Sequence, residues 1–133
     1  MDAVSRMLDF HGDALRLRAE RQRTLASNIA NADTPGYQAR DFDFAKALKE
    51  ATGIPGAAPG TLKATDTRHL GATGGASTVS LAYRTPHQAS LDGNTVEVDA
   101  ERARFAENTV RYEATLRFMN GQIQSLLSAM KGQ

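Results

Sequence analysis

Apolar side chains recur every three or four residues along the last third of the chain. This spacing continues for more than four heptads, and Arg102 and Thr109 are its only polar members. It is the spacing of a coiled-coil seam, so we predict a long helix from Asp99 to about Lys131. The row consists of Val98, Arg102, Phe105, Thr109, Tyr112, Leu116, Met119, Ile123, Leu126 and Met130.

A second long helix is predicted at the N-terminus, from about Ala3 to Ala32. The segment has no proline, and Gly12 is its only glycine. The row of residues spaced alternately by four and three is polar in its middle. A neighbouring stripe supplies the apolar surface there. One partner helix cannot cover both surfaces, so this helix either forms the centre of a small bundle or packs against several subunits. The stripe consists of Met7, Phe10, Ala14 and Leu17.

These two patterns predict a mainly α-helical protein. The chain has 133 residues, enough for one ordinary domain. We expect residues 1–37 to form a core helix and a turn, residues 38–98 an irregular middle segment, and residues 99–133 the second core helix. The two helices are predicted to pair as an antiparallel coiled coil. Glycine and proline are frequent in residues 51–78, which indicates a flexible linker.

Short elements are predicted inside the middle segment. Aspartate and phenylalanine alternate in residues 41–44, which favours an extended segment with both rings on one face. Residues 45–51 suit a short helix. Residues 78–84 have strand alternation and could pair with residues 96–98 in a small hairpin. The alternative is an earlier start of the last helix, with Asn94 as its N-cap.

The end of the first helix carries the densest group of turn-forming residues. Asn28 and Asn31 are three positions apart and share a helix face. Pro35 cannot continue a helix, and Gly36 gives the backbone the freedom for a sharp turn. Tyr37 has a ring with one polar end, which can pin the chain as it leaves. We therefore predict a helix end that polar side chains hold in place.

Several classes of function are excluded by composition and spacing. The chain has no cysteine, which rules out disulfides and thiolate zinc sites. No apolar run approaches the roughly 20 residues of a membrane-spanning helix, and the N-terminus lacks the pattern of a cleaved signal peptide. On a helix, His11 would point away from Asp9 and Asp13. We therefore expect no catalytic residue, no cofactor and no metal.

Four arginines lie within eight residues of the first helix, which points to nucleic acid or an anionic membrane surface. Acidic residues are interspersed, however, and the formal net charge is only +1. Two alternatives stay open: a cytoplasmic helical module that binds nucleic acid, or ion pairs between subunits. The arginines are Arg16, Arg18, Arg21 and Arg23. The carboxylates expected in the second case are Glu101, Glu107 and Glu113.

Three separated motifs resemble those of one known family. They are NIANADTPGY at Asn28–Tyr37, QARDFDF at Gln38–Phe44 and LDGNTVEVD at Leu91–Asp99. Together they resemble the bacterial flagellar axial proteins, the family of rod, hook and hook-associated proteins, and within it the rod proteins of the basal body. The resemblance implies a non-enzymatic structural subunit. Its terminal helices would pair into an elongated core that lines a tubular filament, and its middle segment would touch neighbours.

The resemblance also implies partners and a place. The partners would be other rod proteins, further copies of the chain, and the junction with the basal-body ring and export gate. Nucleic acid and a membrane span are not expected. The chain would reach the periplasmic rod through the flagellar type III apparatus, without a cleaved leader. The subunit-interaction residues would be Leu25, Ala26, Asn28, Ile29, Asn31, Pro35, Gly36, Tyr37, Asp92, Gly93, Asn94, Phe105, Tyr112, Leu116, Met119, Ile123, Leu126 and Met130.

Overall fold

The computed structural model of the chain describes residues 2–53, 79–86 and 90–132. Most of these residues are helical, as predicted. From residue 54 onward, the predicted linker lies outside the described residues. The elements in chain order are helix α1 (Asp2–Ala30), strand β1 (Arg40–Asp41), helix α2 (Phe44–Thr52), strand β2 (Ala82–Tyr83) and helix α3 (Val98–Met130).

The two long helices α1 and α3 pack side by side in opposite directions. The Gln22 amide of α1 donates a hydrogen bond to Thr109 Oγ1 of α3 at 2.7 Å. Asn28, further along α1, donates to Glu101 at 3.0 Å, and Glu101 lies earlier in α3. The helices are therefore antiparallel, and the coiled-coil packing of their side chains stays a prediction.

The first helix ends at Ala30, slightly before the predicted Ala32, and residues 31–36 form consecutive turns and a bend. Gly36 has a φ of +72°, in the left-handed region that favours glycine. Pro35 and Gly36 therefore keep the chain from returning to a helix after these turns.

The short helix α2 was predicted at residues 45–51 and is present. The Asp43 side chain caps it by accepting a hydrogen bond from Lys46 N at 3.2 Å. Gly53, with a φ of +62°, ends it. Phe44 belongs to this helix, so the alternation of residues 41–44 does not continue as one extended segment. The guanidinium group of Arg18 lies 4.1 Å from the centre of the Phe44 ring, which helps to hold α2 against α1.

The strand predicted in residues 78–84 exists as β2, but its predicted partner is wrong. It pairs antiparallel with β1, so that Arg40 lies opposite Tyr83. Residues 96–98 are not its partner, because Val98 already begins α3. Strands of two residues have little pairing preference of their own, so long-range contacts of the flanking residues decide which segments meet.

The apolar core is thin, and polar side chains share the interior. Leu17 and Leu25, which are 1% and 0% exposed, are the largest apolar side chains that are fully buried within the described ranges. Hydrogen bonds therefore hold the α1–α3 contact together with apolar packing. The buried residues are Ala14, Leu17, Leu25, Ala39 and Phe42 among the apolar types, and Thr24, Asn28, Asn94, Glu101 and Asn108 among the polar types.

The face that α3 turns toward α1 is displaced from its most apolar row. Glu101 and Asn108 are buried, whereas Leu116 and Ile123 are each 37% exposed and Met130 is 80% exposed. At about 100° per residue, this displacement corresponds to a rotation of about 50° about the helix axis. The members of the predicted row that remain half-buried along the helix are Val98, Phe105, Thr109, Tyr112, Met119 and Leu126.

Candidate functional site

Asn28 holds the chain where it returns from the turn after α1. Its Oδ1 accepts a hydrogen bond from Arg40 N at 3.0 Å, and its Nδ2 donates to Arg40 O at 2.7 Å. An amide that binds both peptide groups of one residue takes the place of a neighbouring strand. Asn28 therefore fixes β1 from the side opposite β2.

The same amide also reaches α3. Asn28 Nδ2 donates to Oε2 of Glu101 at 3.0 Å, and the Glu101 residue is 0% exposed. Its Oε1 accepts from Arg104 Nη1 at 3.0 Å and forms an ion pair with Arg84. Since removing a carboxylate from water costs several kcal/mol unless it is paired, Glu101 depends on these partners.

Arg84 also binds a second carboxylate, that of Asp41. Asp41 accepts two parallel hydrogen bonds from Arg21, each 3.1 Å long, and one from Arg84. Burial alone would raise the pKa of Asp41, but the hydrogen bonds from Arg21 and the Phe42 N–H, with the two arginine charges, outweigh it and lower that pKa. Burial, followed by the positive charge of Arg104, lowers the pKa of Arg84.

These contacts form one group that joins both long helices to the small sheet. It ties α1 to β1, to the residue after β2 and to α3. We call it the charge cluster. Its members are Arg21, Asp41, Arg84, Glu101 and Arg104.

Asn94 holds the turns after α1 from a distant part of the chain. Its Nδ2 lies 3.0 Å from Asn31 O, 2.8 Å from Ala32 O and 2.8 Å from Thr34 O. These carbonyls belong to the turns that follow the last helical residue, Ala30, so this amide gives the turns a donor from the third motif. Its Oδ1 accepts from Val96 N at 2.8 Å, which orients the side chain.

The first and third sequence motifs lie directly against each other. Gly36 N donates to Asp92 O at 2.9 Å, and Thr95 N donates to Tyr37 O at 2.9 Å. Gly93 has a φ of +74°, and a β-carbon added there would lie 3.7 Å from the α-carbon of Gly36. The two motifs are therefore two halves of one turn structure, which we call the double turn.

Polar side chains continue along the α1–α3 contact away from the double turn. Asn108 Nδ2 donates to Gln22 Oε1 at 2.6 Å and to Arg18 O at 2.9 Å, and Gln22 Nε2 donates to Thr109 Oγ1 at 2.7 Å. Asn108 is 1% exposed, and its Oδ1 has no hydrogen-bond partner within the described ranges. These side chains set the register of the two helices.

The basic patch of α1 is largely neutralised within the chain. Arg21 belongs to the charge cluster, Arg16 lies 3.7 Å from Asp13, and Arg23 lies 3.3 Å from Glu20. Carboxylates this close reduce the positive charge that a polyanion would meet.

The predicted subunit-interaction residues separate into two groups. Leu25, Asn28 and Asn94 are buried inside the chain, where they hold the double turn and its surroundings. The others are exposed or half-buried, and their contact with another subunit stays a prediction. They are Ala26, Ile29, Asn31, Pro35, Gly36, Tyr37, Asp92, Gly93, Phe105, Tyr112, Leu116, Met119, Ile123, Leu126 and Met130.

Sequence reasoning did not identify the charge cluster. Arg21 and Glu101 were expected to pair across subunits, but within the chain they bind other partners. Arg21 and Asp41 are 20 positions apart, and Arg84 and Asp41 are 43 apart. Helical spacing reports only neighbours within one helix, so no local signal relates these residues.

Two further observations concern metal binding and membrane-spanning helices. Within residues 2–53, 79–86 and 90–132, no group of three or more His, Cys, Asp or Glu side chains is placed to hold a metal ion. No helix in the same ranges combines the length and the hydropathy that crossing a membrane requires.

Comparison with known proteins identifies the family. The profile of the family described as "Flagella basal body rod protein" matches residues 8–38, which cover most of α1 and the turn after it. Flagellar basal body rod protein FlgB of Proteus mirabilis is 45% identical over 134 residues, which cover 98% of each chain. FlgB of Escherichia coli is 46% identical over 98% of this chain and 97% of its own. FlgB of Cereibacter sphaeroides is 48% identical over 95% and 94%. With this identity over nearly its whole length, the chain belongs to the FlgB family of flagellar basal body rod proteins.

Proposed function

We propose that this structural subunit of the flagellar basal-body rod enters the proximal rod through the apolar surface that α3 leaves uncovered. The FlgB family is a family of structural proteins, so the chain is not an enzyme. The alternative of a nucleic-acid-binding module has no support among the relatives. The ion pairs that neutralise the arginine patch argue against it as well.

The exposure of one apolar row on α3 is the observation that carries this proposal. Leu116 and Ile123 are each 37% exposed, Leu127 is 50% exposed and Met130 is 80% exposed. These four residues recur at helical spacing and form what we call the exposed row. Burying apolar surface stabilises an assembly by about 25 cal/mol per Å² before the costs of association. A neighbouring helix against the exposed row would supply that burial.

A second surface lies on the far side of the same helix. Val110 and Phe118 are 66% and 67% exposed, and at about 100° per residue they lie on the opposite side of α3 from the exposed row. Contact surfaces on two sides suit a subunit that has neighbours on both sides in a tube. The neighbours we propose are further copies of this chain and other rod proteins, including those at the junction with the ring and export gate.

The architecture also suits the transmission of torque. The helices α1 and α3 have 29 and 33 residues, so they are roughly 44 and 50 Å long at 1.5 Å per residue. The double turn and the charge cluster join them at one end and resist their sliding. We place the subunit in the periplasmic part of the basal body, which it would reach by type III export without a cleaved leader.

Charged substitutions in the exposed row test this proposal. Leu116→Asp and Ile123→Asp should leave a soluble monomer with unchanged helix content, because both side chains are partly exposed already. Each should abolish incorporation into basal bodies, seen by immunoblotting and electron microscopy of the isolated particles, and should abolish swimming.

Two control variants separate the surface from the substitution. Leu116→Met keeps the row apolar and should assemble normally. Gln124→Asp adds a charge to the same helix outside the row and should also assemble. Rods containing normal amounts of the Leu116→Asp protein would contradict the proposal.

A further inference from the structure

The small sheet has an outer edge on the side of β2. Arg84 N donates to Ala39 O at 2.9 Å, so these two residues occupy a hydrogen-bonded position of the ladder. The N–H of Ala39 donates to Thr95 Oγ1 at 2.7 Å and not to Arg84. In an antiparallel pair, hydrogen-bonded and non-hydrogen-bonded positions alternate. Arg40 and Tyr83 occupy the next, non-hydrogen-bonded position and direct their N–H and C=O groups outward. Leu81, two residues before Tyr83, directs its peptide groups the same way.

One of the two outer edges is already occupied. The outward N–H and C=O of Arg40 bind the amide of Asn28, at 3.0 and 2.7 Å. On the other side, no residue of the described ranges forms a hydrogen bond with the N–H or C=O of Leu81 or Tyr83. We call these peptide groups of Leu81 and Tyr83 the open edge.

The side chains beside the open edge define what could bind there. Leu81 and Tyr83 share one face of the sheet and are 43% and 65% exposed. The guanidinium group of Arg40 lies 5.3 Å from the centre of the Tyr83 ring. Arg40 is exposed, and no carboxylate in the described part of the chain forms an ion pair with it. The face therefore presents two apolar side chains and one positive charge without a counter-ion.

We propose that the open edge binds an extended segment of a neighbouring rod subunit, which adds a third strand to the sheet. The incoming strand would bring a carboxylate opposite Tyr83 and an apolar side chain opposite Leu81, two residues apart. This inference rests on the proposed function, because a neighbouring subunit is present only in an assembled rod. Peptide groups would supply the affinity, and the side chains the specificity.

Distances and charge favour an acidic segment as the occupant. Neighbouring strands lie about 4.8 Å apart, so the residue opposite Tyr83 would lie about 10 Å from the Arg40 α-carbon. An arginine and a glutamate side chain can span that distance and meet above the tyrosine ring. A second copy of β2 would bring another arginine to the same face and no carboxylate, which like-charge repulsion disfavours.

A pair of substitutions at one position tests the backbone contact. Leu81→Pro removes an outward N–H and leaves the inward groups of Ala82 in place, and proline is tolerated at the beginning of an edge strand. Leu81→Ala removes the same side chain but keeps the N–H. Both purified full-length proteins should match the parent in circular dichroism and thermal unfolding. In basal bodies, the amount of the proline variant should fall about tenfold below that of the alanine variant.

A second pair tests the charge. The backbone of Arg40 binds Asn28, whereas its side chain is exposed, so side-chain substitutions leave that contact intact. Arg40→Glu should lower incorporation about tenfold, and Arg40→Lys should stay close to the parent. Equal incorporation of Arg40→Glu and Arg40→Lys would refute the inference that the incoming segment is acidic.

Hydrogen exchange decides the matter even where a proline variant fails to fold. In the unaltered protein, the amides of Leu81 and Tyr83 should exchange quickly in the dilute monomer and at least tenfold more slowly in isolated basal bodies. Fast exchange in both states would overturn the inference, and so would slow exchange already in the monomer, since that would mean the chain covers its own edge. If Leu81→Pro assembles as well as Leu81→Ala while Leu116→Asp does not, strand addition at the open edge is refuted. The proposal that the subunit assembles through the exposed row is then retained.

Discussion

The side-chain amide of Asn28 donates a hydrogen bond to the carboxylate of Glu101 at 3.0 Å, and both residues are completely buried. They are 73 positions apart, one near the end of the first long helix and one near the beginning of the last. The same amide also binds both peptide groups of Arg40. One asparagine thus joins the N-terminal helix, the small sheet and the C-terminal helix.

Replacing Asn28 should therefore destabilise the whole fold. Asn28→Ala removes four hydrogen bonds at once, those with Arg40 N, Arg40 O, Glu101 and the Tyr37 hydroxyl, and leaves buried partners unsatisfied. The free energy of unfolding should therefore fall by about 3 kcal/mol or more. Urea denaturation followed by circular dichroism measures the change. The control is Asn120→Ala at an exposed position of α3, which should stay within about 0.5 kcal/mol. A loss below about 1 kcal/mol for Asn28→Ala would refute this role.

Asn94 allows a comparison of two substitutions at one capping site. Asn94→Ala removes the donor shared by three carbonyl oxygens and should cost about 2 kcal/mol. Asn94→Asp has nearly the same shape, but it aims a carboxylate at those oxygens. It should therefore cost at least about 1 kcal/mol more than alanine, despite keeping the acceptor for Val96 N.

The local readout for both Asn94 variants is amide exchange across the double turn. Gly36 N and Thr95 N, which bind Asp92 O and Tyr37 O, should exchange faster in both variants than in the parent. Exchange at Ala47 N, which binds Asp43 O, serves as the internal reference. An aspartate variant as stable as the alanine variant would mean that the amide donor is not what holds the turn.

The charge cluster predicts a dependence of stability on acid. The pKa of Asp41 is lowered in the folded chain from a reference value of 3.8. A carboxylate with a lowered folded pKa contributes stability that is fully present above its unfolded pKa. That contribution is lost as the pH falls below 3.8 and through the lower folded pKa. Asp41→Asn should therefore be less stable than the parent near neutral pH, and the difference should shrink below pH 3.8.

Urea denaturation of parent and Asp41→Asn between about pH 7 and pH 3 checks this dependence. At neutral pH we expect a deficit of about 2 kcal/mol, because the variant loses charge-assisted hydrogen bonds from Arg21 and Arg84. Asp33→Asn, an exposed aspartate in the turn, should change the neutral-pH stability by no more than about 0.5 kcal/mol. A deficit that stays constant down to pH 3 would show that Asp41 does not act through its charge.

The last turns of α3 should be the least stable part of the isolated subunit. Leu127 and Met130 are 50% and 80% exposed, whereas Glu101 and Asn108 are buried. Regions with few buried contacts open at lower free energy than the core. Amides from residue 122 onward should therefore exchange faster in a dilute monomer than those of residues 101–112. Uniform protection along α3 would count against the idea that neighbouring subunits are needed to cover the exposed row.

Periodicity and turn chemistry were enough to predict the main elements. The four-three spacing predicted both long helices, and the end of α1 near Pro35 and Gly36 followed from their backbone preferences. Asp43 and Gly53 lie at the two ends of α2, as N-cap and C-cap residues usually do. Each of these features depends on residues that are close together in the chain.

The contacts between elements could not be predicted in this way. Apolar spacing selected the row through Leu116 and Ile123, but α3 turns Glu101 and Asn108 toward α1. These polar residues can be buried because they have partners on α1 and beyond β2. Those partners are many positions away in the chain, so local spacing did not reveal them. The partner of β2 was missed for the same reason, since the Asn28 side chain positions β1. Asn28 and Asn94 were identified from the sequence, as contacts between subunits and also as residues of a helix end, but their partners within the chain were not.

The polar side chains along the α1–α3 contact predict a variant that is more stable but less specific. Asn108 is buried with an unpartnered Oδ1, and its amide binds Gln22 at 2.6 Å. Replacing buried polar groups together by apolar ones of similar size is often neutral or stabilising. The double variant Gln22→Leu/Asn108→Leu should therefore unfold at a higher urea concentration, with about 1 kcal/mol of added stability. Since buried amides can fix the register of paired helices, its incorporation into basal bodies should nevertheless decline. The single variant Asn108→Leu leaves Gln22 without its donor and is the matched control, expected to be no more stable than the parent. A double variant less stable than the parent would show that this polar contact stabilises the fold and does not merely set its register.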